Sequence, residues 1–223
     1  MECLMNRILA APLSGEEIER RSFERIDAEG VRPGYSNEEW ILVRRLIHTC
    51  GDPSLGRCVR FRGNWAESGV QALRSRARIY CDSSMIASGI SLARLREVNP
   101  SYTRDHIVVR VADPAVAELA AAEGLPRSLF AVRSCASWLE GSIALFGNAP
   151  VGLAELMRIH MEDGIRPAWT GAMPVGFVHV MESKEEFLRS DLDGVAVAGL
   201  RGGSPLAVAS LHALCSIAKE MHP

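Results

Sequence analysis

The chain has 223 residues, 48% of them apolar and only 6% aromatic, with 25 basic and 27 acidic side chains. That length fits one α/β domain able to bury a core without disulfides or a structural metal. A near-neutral balance excludes the broad basic footprint of a nucleic-acid binder and gives no reason to expect a membrane as partner.

The cysteines, Cys3, Cys50, Cys58, Cys81, Cys135 and Cys215, are scattered and form no CxxC pair. They read as reduced thiols of a cytoplasmic protein. The apolar run at residues 8–13 is too short for a secretory signal, and no stretch approaches the length needed to cross a bilayer. The expectation is a soluble single domain over residues 1–223.

Ser14 with Glu17 forms a capping-box pattern, followed by Ile18, Ser22 and Ile26 at helical spacing and by Gly30 as a stop. Ser36 with Glu39 opens a second helix through Trp40, Ile41, Val43, Leu46 and Ile47, with Gly51 placed to end it. Residues 60–75 signal more weakly, predicting a short helix near 70–73. From residue 78 short apolar runs alternate with helices. Residues 78–81 and 107–111 read as strands, Pro114 starts a helix that stops at Gly124, and 129–139 reads as another helix. Residues 142–146, 168–172 and 195–198 are further strands, each leading through a glycine-bearing loop to a helix. Such alternation predicts an α/β fold with a mostly parallel central sheet flanked by helices.

Those three loops are Gly147-Asn148-Ala149-Pro150, Met173-Pro174-Val175-Gly176-Phe177 and Gly199-Leu200-Arg201-Gly202-Gly203-Ser204. Parallel strands gather them at the carboxyl edge, where open α/β sheets bind ligands. Glycine admits close backbone approach and helix N-termini attract anions, so the edge reads as an anion site. Tight turning alone would explain any one of them. GxxxxGK[ST], GxGxxG and GxSxG are absent, and the six histidines lack HExxH or comparable ligand spacing. Nucleotide, hydrolase and protein-bound metal chemistry therefore have no motif support.

Several stretches carry a family resemblance. They are Ser22-Phe23-Glu24-Arg25-Ile26, the VxRxxHxxG string from Val43 to Gly51, and Asp82 with Met85 and Gly89-Ile90. Arg127-Ser128, GNAP at 147–150, PVGFV at 174–178, ESKE at 182–185 and GGS at 202–204 follow in order. Over about residues 14–215 the chain resembles the precorrin-8X methylmutase family. The resemblance implies an α/β/α fold, a homodimer and an isomerase of cobalamin biosynthesis. Its reaction moves a methyl group from carbon 11 to carbon 12, converting precorrin-8X to hydrogenobyrinic acid or cobalt-precorrin-8 to cobyrinic acid. The partner implied is a small-molecule corrin precursor, a polycarboxylate tetrapyrrole, with handover of product to the next enzyme. No cofactor and no protein metal site are implied; any cobalt arrives with the substrate. The rival reading is a non-catalytic corrinoid carrier using the same cradle.

On this resemblance His48 is the catalytic acid toward a ring nitrogen, a task suited to imidazole; by helical position alone it reads as a buried histidine bonded to backbone. Arg45, one turn earlier and on roughly the same face, is a clamp for a substrate carboxylate, with a surface arginine as the plain alternative. Ser22 belongs to the pocket, and Arg127 is a second clamp. Asn148, Ser183 and Ser204 are further substrate contacts, although a turn role explains Asn148 and helix capping explains both serines. Solvation accounts for Lys184. The helix at 206–218 fits core or interface equally. Departures from the family pattern fall at Leu200, where an arginine is usual and Arg201 follows, at Pro126, at His179, and at His212 near a usual asparagine.

Overall fold

The computed structural model describes residues 4–29 and 34–221. Cys3, Gly30 and His222 lie outside the described residues, and with Gly30 the expected stop of the first long helix.

Helices α1 (Leu4–Ala10), α2 (Gly15–Ala28) and α3 (Asn37–Cys50) precede strand β1 (Val59–Arg62) and helix α4 (Trp65–Arg74). Strand β2 (Ile79–Cys81) leads through α5 (Ser84–Gly89) and α6 (Leu92–Val98) to β3 (Ile107–Val109). Helices α7 (Pro114–Glu123), α8 (Arg127–Arg133) and α9 (Ala136–Leu139) lead to β4 (Ile143–Phe146). Then α10 (Pro150–Asp163), β5 (Trp169–Ala172), α11 (Val180–Arg189), β6 (Gly194–Val197) and α12 (Ser204–Glu220) complete the order.

The six strands form one sheet in the order β1-β6-β5-β4-β2-β3, parallel except for β1. Alternation along the strands divides the core. Ile79, Cys81, Ile143, Leu145, Val195 and Val197 join the layer built on α3, α4 and α12. Tyr80, Ala144, Phe146, Ala172 and Ala196 face the opposite layer with Leu153, Leu156 and Phe187. Burial on both faces explains why these strands read as unbroken apolar runs.

The two caps expected of α3 are both present. Ser36 Oγ accepts from Glu39 N–H while Glu39 accepts from Ser36 N–H, and Gly51 closes the helix at φ 67°. In α2 only half the box forms, because Glu17 turns its carboxylate to Arg20 and Arg21. The helix expected at 70–73 spans all of α4, and β1 precedes it unforeseen. Val59-Arg60-Phe61-Arg62 alternates apolar and charged side chains, as suits an edge strand. The helix expected at 129–139 is two helices; Ser134 Oγ caps Ala131 O at 2.8 Å and the chain tightens there, sinking Cys135 and Leu139 into the core. Helix α12 is core, with Leu211, Leu214 and Ile217 buried among α3, α4 and α6.

Candidate active site

The last turns of α3 carry two side chains against α2. The His48 ring meets Phe23 edge-on at 5.4 Å between centroids, and the Arg45 guanidinium lies 5.4 Å from the same ring centre. Both groups reach the Phe23 ring, as the Arg44 guanidinium does at 4.5 Å, but Arg45 and His48 line different cavities. Arg45 is buried and its Nη1 donates to Glu19 Oε1 at 3.0 Å. Burial pushes the Glu19 carboxyl up, but the Arg45 bond and the charges of Arg45, Arg94 and His48 outweigh it and hold the group below its ordinary value.

Two cavities border this end of α3. One, of about 350 Å³, is lined by Ser22, Arg25, Ile47 and His48. His48 is half-buried; its ring nitrogens are not sealed from solvent and form no hydrogen bond among the described residues. Ser22 Oγ donates to Ile18 O at 2.7 Å, keeping its lone pairs for the cavity. The other cavity, of about 320 Å³, is lined by Arg45, Thr49, Met85, Ser204, Val208 and His212.

The three glycine loops do gather at the carboxyl edge, but the first is not an open anion site. Asp82, directly after β2, sends Oδ2 to the backbone N–H groups of Gly147, Asn148 and Ala149 at 3.0, 2.8 and 2.7 Å. The sheet order reverses between β2 and β4, the place where such folds open a crevice. Here the protein's own carboxylate fills it. Burial pushes the Asp82 carboxyl up, and the three amides pull against that rise. Two glycines are demanded by close approach. A Cβ on Gly147 would stand 2.7 Å from Ser204 Cα, and one on Gly202 would stand 2.2 Å from Met173 O.

Lys184 corrects the expectation of a solvated side chain. It is 1% exposed, and its Nζ donates to Gly199 O at 2.8 Å and Arg201 O at 2.7 Å, pinning the last loop. Burial pushes its ammonium down to about 8. Its periodicity was legible: Val180, Ser183, Lys184 and Phe187 form one buried stripe of α11. Between pH 8 and 10.5 the unfolded chain holds the lysine proton and the folded chain has lost it, so stability rises with pH across that window. The stability difference between wild type and Lys184→Met is expected to shift in favour of wild type from pH 7.5 to pH 10 in urea unfolding. An unchanged difference would show that the ammonium is not held in this environment.

The remaining expected contacts fall in different places. Ser204, buried at the start of α12, shares a 2.9 Å hydrogen bond with Ser83 Oγ and lines the Arg45 cavity. Asn148 is exposed on the loop that Asp82 holds. Arg127 is exposed at the first turn of α8, in the opposite helix layer from Arg45 and His48. Ser183 is buried, its Oγ donating to Val180 O. The capping explanation fails for both serines, since His179 and Gly203 occupy the cap positions. Arg201 is committed to Asp52 and Ser54 at 2.6 and 2.9 Å, tying the last loop to the end of α3. His179 adopts φ 60°, an uncommon conformation for a non-glycine residue.

A family model described as precorrin-8X methylmutase matches residues 17–217. A cobalt-precorrin-8 methylmutase of Leptospira interrogans is 34% identical over 215 residues, covering 92% of this chain and 95% of the relative. A precorrin-8X methylmutase of Pseudomonas aeruginosa is 35% identical over 205 residues, covering 91% and 95%. The solved precorrin-8X methylmutase of Thermus thermophilus superposes with a TM-score of 0.82 at 36% identity, covering 92% of this chain and 97% of that one.

Proposed function

This chain belongs to the precorrin-8X methylmutase family, and we propose that His48 is the acid of its reaction, with Arg45, Ser22 and Ser204 as substrate contacts. The protein is an intramolecular methyl-shifting isomerase of cobalamin biosynthesis. The carrier reading draws no support from the relatives, whose names are those of methylmutases.

The observation that carries the assignment is the free edge of His48, half-buried on a cavity wall with no protein hydrogen-bond partner among the described residues. The reaction breaks the carbon 11–methyl bond and forms the carbon 12–methyl bond within one conjugated ring. Proton donation to a ring nitrogen draws electrons out of that system and favours migration. A rigid floor then serves by orientation alone, and Asp82 and Lys184 lock the loops that compose it. Each cavity lies at the small end of ligand-site volumes, about 300–1000 Å³, and so suits peripheral arms rather than the macrocycle. Arg45 meets a carboxylate arm by exchanging it with Glu19. Arg127, Asn148 and Ser183 are proposed as further contacts outside these two cavities; Arg127 stands in the other layer and Ser183 is enclosed.

Incubation with precorrin-8X, followed by visible spectroscopy, tests the activity; spectral binding without turnover would return the carrier reading. Arg45→Ala is expected to raise KM about tenfold or more with kcat little changed, as suits loss of a charged hydrogen bond made equally in ground and transition states. An unchanged KM would remove Arg45 from the site.

A homodimer is supported by the apolar face of α1, where Leu4, Met5, Ile8 and Leu9 are exposed together with Leu13 and Ile18 beyond it. Sedimentation equilibrium is expected to give twice the 24.3 kDa chain mass, and a monomeric mass would refute it. A cytoplasmic setting fits the free thiols, of which Cys81, Cys135 and Cys215 are buried.

A further inference from the structure

We infer that His212 determines substrate affinity by presenting its Nδ1–H as a fixed hydrogen-bond donor to an oxygen of a substrate arm in the cavity between α3, α5 and α12. The inference rests on the placement of that arm beside Arg45.

Ser91 N–H donates to His212 Nε2 at 3.0 Å. A ring nitrogen that accepts carries no proton, so the proton of the neutral ring sits on Nδ1. The donor is itself fixed, because Ser91 is the N-cap of α6 and its Oγ accepts from Arg94 N. His212 is half-buried and lines the cavity with Arg45, Thr49 and Ser204. Nδ1 is not sealed from solvent and has no partner among the described residues. By contrast the hydroxyl of Thr49 donates to Arg45 O, and that of Ser204 is shared with Ser83.

Three charged groups face the ring from other elements: Arg94 of α6, Arg45 of α3 and Glu19 of α2. Burial and the two arginines disfavour a second proton and Glu19 favours it, leaving the group near 4. The ring therefore stays a neutral donor through the physiological range. Beside it Arg45 supplies a cation, so the pair offers a carboxylate arm two donors of different kinds.

The amide substitutions separate the two nitrogens. Asparagine places an amide nitrogen near Nδ1 and keeps the donor; glutamine places its amide near Nε2 and keeps only the Ser91 contact. Titration with hydrogenobyrinic acid, read in the visible spectrum, is expected to give His212→Asn an affinity within about threefold of wild type. His212→Gln is expected to fold normally by circular dichroism yet bind about tenfold more weakly, the usual worth of one such bond. Its kcat at saturating precorrin-8X is expected within about twofold of wild type. The pH dependence of affinity from 5.5 to 8 is expected to be the same in wild type and His212→Asn.

Wild-type affinity in His212→Gln would overturn the inference. So would equal weakness of the two amide variants, which would signify packing alone, or a wild-type affinity that falls with rising pH where the asparagine variant's does not. If Arg45→Ala weakens binding and His212→Gln does not, only this inference falls. If neither changes affinity, the placement of the arm in this cavity falls with it.

Discussion

His48→Ala is expected to lower kcat by about 100- to 10,000-fold, the range that a positioned general acid contributes. The folded structure has little stake in the imidazole. It is half-buried, meets Phe23 through an edge contact, and holds no hydrogen bond among the described residues. Alanine also has the better helix propensity, and α3 keeps both of its caps. The thermal midpoint should therefore stay within a few degrees, and binding of hydrogenobyrinic acid should weaken only slightly. Single-turnover conversion of precorrin-8X, followed by its visible spectrum, is the measurement. A variant that turns over within threefold of wild type would take His48 out of the mechanism and leave orientation by the loop floor as the source of catalysis.

The second large effect belongs to stability. Asp82→Ala leaves the amides of Gly147, Asn148 and Ala149 without their acceptor at a site where Asp82 is 1% exposed. The amides of Gly147 and Ala149 are buried, and each left unpaired costs about 1–3 kcal/mol, so the total is about 2 kcal/mol or more in urea unfolding. Asp82→Asn keeps an oxygen acceptor and should lose less than half as much. The damage should also reach the site, because Gly147 packs against the backbone of Ser204 at the head of α12. A loosened loop should raise KM even where the variant remains folded. Equal stability of wild type and the alanine variant would mean that water replaces the carboxylate there without cost.

Much of this arrangement was legible in the chain. Ser36, Glu39 and Gly51 delimit α3 by local hydrogen bonding and backbone conformation, which depend on a few adjacent residues. The apolar runs of β4, β5 and β6 identify buried strands, and the glycine loops after them mark the carboxyl edge. The helical stripe that buries Lys184 is visible in the sequence, but a lysine's type argues for solvent more loudly than three apolar or small neighbours argue for burial. The alternating arginines of edge strand β1 conceal a pairing that only β6 supplies.

The amino-acid sequence by itself determined the family, the parallel α/β architecture and the placing of His48 one turn beyond Arg45, since motifs, period and caps are local properties of the chain. The tertiary structure alone decided that Asp82 occupies the amides that looked ready for a ligand. It also decided that Arg201 is spent on Asp52, and that His212 meets Ser91, 121 positions away. Which donor finds which acceptor across such separations depends on how the layers pack, and no periodicity within one segment encodes it.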